Sequence, residues 1–259
     1  MGIGKFVHTC RIALLAGVAV LASPASSPAF PWLAAPGVQQ IELDEPFGRP
    51  ASLLHDGGLP TKWRGVEREV AKERELLATC RADRVHCPSE AALQFLAIAE
   101  RAHTRDGLAR FGEINRAVNL AIRPVSDLEN YGVIDYWSSP LATLAKGSGD
   151  CEDYAIAKLF LLREIGVAAD DVRLVIVHDL KHDEDHAVVA ARFEGRWRIL
   201  DNRRLMMLPD TDIADYRAAF VIDDAGVRSY QDLAPAEAVM PAKVPPVDAI
   251  VSGVGLAAY

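Results

Sequence analysis

The sequence predicts an α+β protein: helices first, a helix headed by a cysteine in the middle, and an antiparallel sheet last. Three observations carry this. Apolar residues recur at helical spacing from Lys62 onward, as Val66, Val70, Leu76 and Leu77 do in WRGVEREVAKERELLATC. The period changes to that of a strand in VRLVIVHDL, Val172 to Leu180. Beyond it, HAVVAARF, the short turn EGR and WRILDN read as a hairpin.

Taken in order, the chain opens on a secretory signal pattern over residues 1–29. Lys5 and Arg11 precede the apolar run Ile12 to Ala22, and the small residues SPASSPA follow, with cleavage expected after Ala25 or Ala29. The apolar run is shorter than the roughly 20 residues of a membrane span, and an uncleaved anchor is the competing reading. Cys10 precedes the run and would leave with the signal. Residues 30–60, rich in Pro, Gly and small side chains, read as an irregular lead-in. The main domain is expected over residues 61–234. Its helices are the one from Lys62, then PSEAALQFLAIAERAH with Ser89 as N-cap, then GLARFGEINRAVNLAI ending before Pro124. DLENYGVIDYWSSP reads as a polar and aromatic loop, and a strong helix runs from Cys151 to Ile165, stopping at Gly166. After the hairpin, AAFVID near Phe220 supplies another strand, and the tail 235–259, rich in Ala, Pro and Val without period, is expected to be disordered.

Half of the 259 residues are hydrophobic and a quarter charged, the balance of a globular protein. The formal net charge is −8, and no Lys/Arg run stands out, so a nucleic-acid-binding surface is not indicated. Of the four cysteines, three remain after export: Cys80, Cys87 and Cys151. In an oxidising compartment Cys80 and Cys87 are expected to pair across CRADRVHC, leaving Cys151 free. A zinc site and two unpaired cysteines are the alternatives; the first lacks CxxC-type spacing and a second ligand pair.

Cys151 stands between Asp150 and Glu152, directly after a glycine-rich turn. Carboxylates beside a thiol make it harder to ionise, whereas a helix N-terminus favours the thiolate. His186 lies where the acidic loop KHDED meets a strand, and Asp201 ends the next strand. Antiparallel pairing about Glu194-Gly195 would bring His186 and Asp201 together. A thiol on a helix facing a His and an Asp on a sheet is the arrangement of a Cys-His-Asp acyl-transfer site. Taken singly, each has a plainer reading: a structural cysteine, a surface histidine, a turn-forming aspartate. The Cys151 N–H is the expected oxyanion donor, while Trp137 is either a wall of the cleft or a core aromatic.

DYWSSPLATLAKGSGDCEDYAIAKLFLLREIGV, the strand entered through DEDHAVV, and RILDN together resemble the bacterial transglutaminase-like cysteine proteinases, of which LapG-type periplasmic proteases are members. The likeness runs from about Trp63 to Tyr230 and takes in Cys80, Cys87 and INRAVN. It implies a papain-like, transglutaminase-like fold with Cys151 as nucleophile, His186 as general base and Asp201 as its orienter. It also implies a calcium ion held by acids at Asp150, Glu152 and Asp153, which on their own would equally serve as N-cap and first-turn residues. The implied substrate is a large surface adhesin cut near its N-terminus to release biofilm cells, and the implied regulator is an inner-membrane receptor for cyclic di-GMP. The same triad would serve a transglutaminase or amide acyltransferase, and a non-catalytic binding module of the same fold is a third reading. Two features depart from the family pattern: the basic pair in LDNRRLMM and the highly charged KHDED loop.

Overall fold

The computed structural model describes residues 45–231. The signal pattern, Cys10, the first part of the lead-in and the tail from 235 lie outside the described residues.

Within the segment expected to be irregular, Ala51–Leu53 forms an edge strand, β1. Helix α1, Gly58–Ala82, begins ahead of Lys62 because Pro60 fits a first turn, where its missing N–H is not needed. Its buried stripe is Trp63, Val66, Val70, Leu77 and Cys80. A disulfide joins Cys80 to Cys87 and leaves Cys151 as the free thiol among the described cysteines. Helix α2, Glu90–His103, starts where the Ser89 hydroxyl accepts the Ala92 N–H at 3.2 Å. Helix α3, Ala109–Ala121, follows.

The stretch read as a loop after α3 holds more structure than its pattern suggests. A two-residue strand β2, Arg123–Pro124, pairs in parallel with β3, Ser148–Gly149. Between them lie the one-turn helix α4, Asp127–Tyr131, and helix α5, Pro140–Lys146. Both are too short to show a helical period; their marks are the serines at 126 and 139 before them and left-handed Gly132 and Gly147 after them. Helix α6, Cys151–Glu164, comes next.

The rest is sheet: β4, Val172–Asp179; β5, Glu184–Phe193; β6, Arg196–Leu200; β7, Leu208–Pro209; β8, Tyr216–Asp223; and β9, Gly226–Tyr230. With β1 they form one seven-stranded antiparallel sheet in the order β1-β9-β8-β4-β5-β6-β7. Helix α6 packs on β4 and β5, so Leu174, Ala187, Val189 and Leu200 join the helices in one core. Alternate residues, including Val175, Val188, Trp197 and Tyr216, build a second core on the opposite face. Both faces of the central strands are therefore covered, which is why HAVVAARF reads as a nearly continuous apolar run. No helix among the described residues is long and apolar enough to cross a membrane.

Candidate active site

Cys151 is the first residue of α6 and is half-buried in a cleft of about 520 Å³. Its position is set by the residues before it. Gly149 is held in the β2–β3 pair, and a Cβ there would lie 2.5 Å from Asp153 Oδ2, so only glycine fits. The Cys151 thiol donates to Glu152 Oε2 at 3.1 Å, and the backbone N–H of Ala187 is directed at the same sulfur. Burial, and next to it the Glu152 charge, push the thiol well above its ordinary value. The helix start alone led to the opposite expectation; here desolvation and neighbouring carboxylates outweigh it.

His186 and Asp201 come together on neighbouring arms of the hairpin. Pairing of Val189 with Leu200 and Phe193 with Arg196 sets the register, and His186 Nε2 lies 3.0 Å from Asp201 Oδ1. Both side chains are buried. Burial opposes ionisation of Asp201, but hydrogen bonds from His186, the Arg203 N–H and the Tyr216 hydroxyl outweigh it and hold the carboxyl down at about 2. With Nε2 engaged by the carboxylate, Nδ1 is the other ring nitrogen, buried and without a hydrogen-bond partner among the described residues. His186 and Cys151 line the same cleft, together with Trp137, Ile176 and Phe220. Asp185 also reaches the cleft and accepts from or faces His178 Nδ1 at 3.1 Å.

The turn after β6 is clamped from α3. Asn119 Nδ2 donates to the carbonyls of Asp201 (2.9 Å) and Arg204 (3.2 Å), and Asn115 Nδ2 to those of Arg204 (3.0 Å) and Leu205 (3.1 Å). INRAVN thus grips the segment that carries Asp201, its two asparagines one helical turn apart. From α6, Lys158 is buried to 1% exposure; burial lowers its ammonium to about 7 against the opposing charge of Asp201.

The acids beside Cys151 form two overlapping clusters, Asp127–Asp135–Glu152 and Asp127–Asp150–Asp153. Asp150, Glu152 and Asp153 were the expected set, and the structure divides them between the clusters; Asp127 joins the two. Asp150 occupies the N-cap position but makes no side-chain capping bond. Instead its Oδ1, with Asp127 Oδ1 and Asp153 Oδ2, is buried without a hydrogen-bond partner. Burial and, next, Glu152 raise Asp150 to about 9; burial, against the Ser138 N–H, raises Asp153 to about 7. Converging, partnerless carboxylate oxygens of this kind suit a hard cation such as calcium, which takes oxygen ligands. Asp127, Asp135 and Tyr216 escaped the sequence reading: the first two sat in a stretch taken for a loop, and Tyr216 precedes the strand read at AAFVID.

The profile of the bacterial transglutaminase-like cysteine proteinase family matches residues 75–221. The chain belongs to this family, and its α+β fold is transglutaminase-like. Among solved structures, EGTA-treated Legionella pneumophila LapG aligns at 21% identity over 61% of this chain and 85% of that one, with a TM-score of 0.50. LapG of the same organism aligns in a second structure at 21% identity, over 60% and 86%, with a TM-score of 0.49. Its calcium-bound form aligns at 23% identity, over 52% and 87%, with a TM-score of 0.42. No curated protein sequence matches the chain.

Proposed function

We propose that this chain is an exported, calcium-dependent cysteine endopeptidase working through Cys151, His186 and Asp201. The observation that carries the reading is the buried His186–Asp201 pair at 3.0 Å beside a cleft that also holds the one free thiol among the described residues. In this reading His186 Nδ1 takes the proton of the Cys151 thiol, and the sulfur attacks the carbonyl carbon of the scissile bond. The Cys151 N–H meets the developing oxyanion. His186 then delivers its proton to the leaving amine, and the first product departs with a free N-terminus. Water next attacks the thioester, giving a proton to His186; the acid product leaves, and the thiol regains its hydrogen. Asp201 stays ionised throughout, holding the imidazole and balancing its charge.

Asp127, Asp150, Glu152 and Asp153, with Asp135 at the edge, are the residues that would hold calcium. When bound, the ion would supply positive charge against the carboxylates that hold the Cys151 thiol protonated. By resemblance to LapG-type proteases, the substrate is a large surface adhesin, the compartment the periplasm, and the regulator an inner-membrane cyclic di-GMP receptor.

The test is incubation of the purified protein with an N-terminal fragment of such an adhesin, with calcium or with chelator. Cleavage is expected with calcium and is lost in Cys151→Ala. Full cleavage by Cys151→Ala would sink the mechanism; undiminished cleavage in excess chelator would remove calcium and leave the triad. An added primary amine appearing in the product in place of a free acid would move the reading to acyl transfer.

A further inference from the structure

We infer that Tyr216 is a positioning residue of this site, its hydroxyl fixing the second carboxylate oxygen of Asp201 and, through that carboxylate, the His186 ring. The inference rests on the Cys151–His186–Asp201 reading above. Asp201 Oδ1 accepts from His186 Nε2 at 3.0 Å and from the Arg203 N–H at 2.9 Å, while Oδ2 accepts from the Tyr216 hydroxyl at 2.8 Å. Those three bonds hold both carboxylate oxygens, so the group cannot turn about its own axis. Take away the Tyr216 hydroxyl, and among the described residues Oδ2 keeps only Arg204 Nε, at 4.0 Å. That is too long for a hydrogen bond.

Tyr216 also touches the histidine itself. Its ring meets the His186 ring edge-on, with centroids 5.8 Å apart, so one side chain bears on both members of the pair. The backbone makes this possible: β8 begins at Tyr216, which pairs with Asp179 on β4, next but one to the Val177 that faces His186 on β5. Burial, then the Asp201 charge, raise the Tyr216 phenol above its ordinary value, in keeping with its role as donor. The other charges facing Asp201 are Lys158 from α6 and Arg203 and Arg204 from its own turn, and none makes a hydrogen bond to Oδ2. A histidine whose Nδ1 must meet a thiol needs its ring held within a narrow angle, and the ring is held only as firmly as its carboxylate.

The test is a double-mutant cycle on the full chain with Tyr216→Phe, Asp201→Asn and the pair together. Iodoacetamide is the probe, and the alkylation rate at Cys151 is followed by peptide mass spectrometry. Tyr216→Phe keeps the ring and removes the bond, and is expected to slow alkylation about tenfold, the range of a hydrogen bond to a charged group. In the Asp201→Asn background the same change is expected to add less than about twofold, because its partner is already altered. Full additivity, or a wild-type rate in Tyr216→Phe beside a slow Asp201→Asn, would overturn the inference alone. A wild-type rate in Asp201→Asn would overturn the triad and this inference with it. Proton NMR of the unsubstituted protein gives an independent reading that needs no variant to fold. It should show a slowly exchanging Tyr216 hydroxyl proton beside the His186 Nε2 proton, and its absence with the latter present would refute the contact.

Discussion

The Arg203 guanidinium lies 2.7 Å from Asp179 Oδ2 and reaches Glu184 as well, tying the turn after Asp201 to the loop that leads into His186. The two charged stretches singled out in the sequence, LDNRR and KHDED, thus meet. Of the basic pair after LDN, Arg203 reaches Glu184 in the KHDED loop. Asp179 also closes its own loop by accepting the Lys181 N–H at 3.0 Å and facing His182 Nδ1 at 2.7 Å.

Arg203→Met should therefore cost about 1 kcal/mol, since it strips a partner from a buried carboxylate. Thermal melting would fall by about 2–4 °C, the scale for a domain of this size. The loss should shrink when Asp179→Asn is added, because the two residues share one contact. Equal losses in both backgrounds would contradict the pairing.

Asp127→Asn removes the carboxylate shared by both acidic clusters. In chelator the variant is expected to melt higher than the parent, by a few degrees, because one of several crowded like charges is gone. The same change should abolish any rise in melting temperature on adding calcium. A retained calcium response would place the ion elsewhere.

The acids also predict a pH dependence. Asp150 is raised to about 9 and Asp153 to about 7, so below those values the native state holds protons that the unfolded chain has released. More protons bound in the native state means that stability falls as pH rises, here from about 4 upward. Lys158, lowered to about 7, acts in the opposite sense only above pH 7, and Asp201, held at about 2, varies only below about 4. Melts in chelator at pH 5, 6 and 7 should therefore decline steadily. With calcium the decline should flatten or reverse, because the ion needs these carboxylates deprotonated. A rise with pH in chelator would contradict the assignment.

Gly149→Ala would drive a methyl group against Asp153, whose Oδ2 and Cβ lie 2.5 and 2.7 Å from the Cβ position. Overpacking of this kind costs about 1–3 kcal/mol. Alkylation of Cys151 by iodoacetamide should slow as well, since Asp153 is two residues from Cys151. Unchanged alkylation and melting would show that the turn relaxes freely.

Much of this was legible in the sequence where a pattern is long enough to have a period. Helices α1, α2 and α3 each bury a repeating face, α6 and the central strands are long apolar runs covered on more than one side, and Ser89 marks its helix start by its chemistry. The short turn at Glu194-Gly195 leaves little freedom of register, so the approach of His186 to Asp201 follows from the hairpin itself. What stayed hidden is of two kinds. Elements such as β1, α4 and α5 are shorter than one useful period and depend on partners far along the chain, as β1 does on β9. Single side chains such as Asp127 and Tyr216 take their meaning only from what the fold sets beside them: an aspartate after a serine reads as a helix start, and a tyrosine at a strand end as core.

The narrow β2–β3 pair has a consequence of its own. The Arg123 N–H donates to the Gly147 carbonyl at 3.0 Å and the Val125 N–H to that of Gly149 at 3.0 Å, drawing residues 125–147 into a loop tied off at its neck. Its second half is anchored, because α5 packs on α2 and α6 and Leu141 and Leu144 sit in the main core, whereas Leu128, Val133 and Ile134 in its first half are exposed. Asp127 and Asp135 lie in that first half, whereas Asp150, Glu152 and Asp153 belong to the start of α6. An ion shared between them would pin the one to the other, and slower amide exchange across 125–136 on adding calcium would register it.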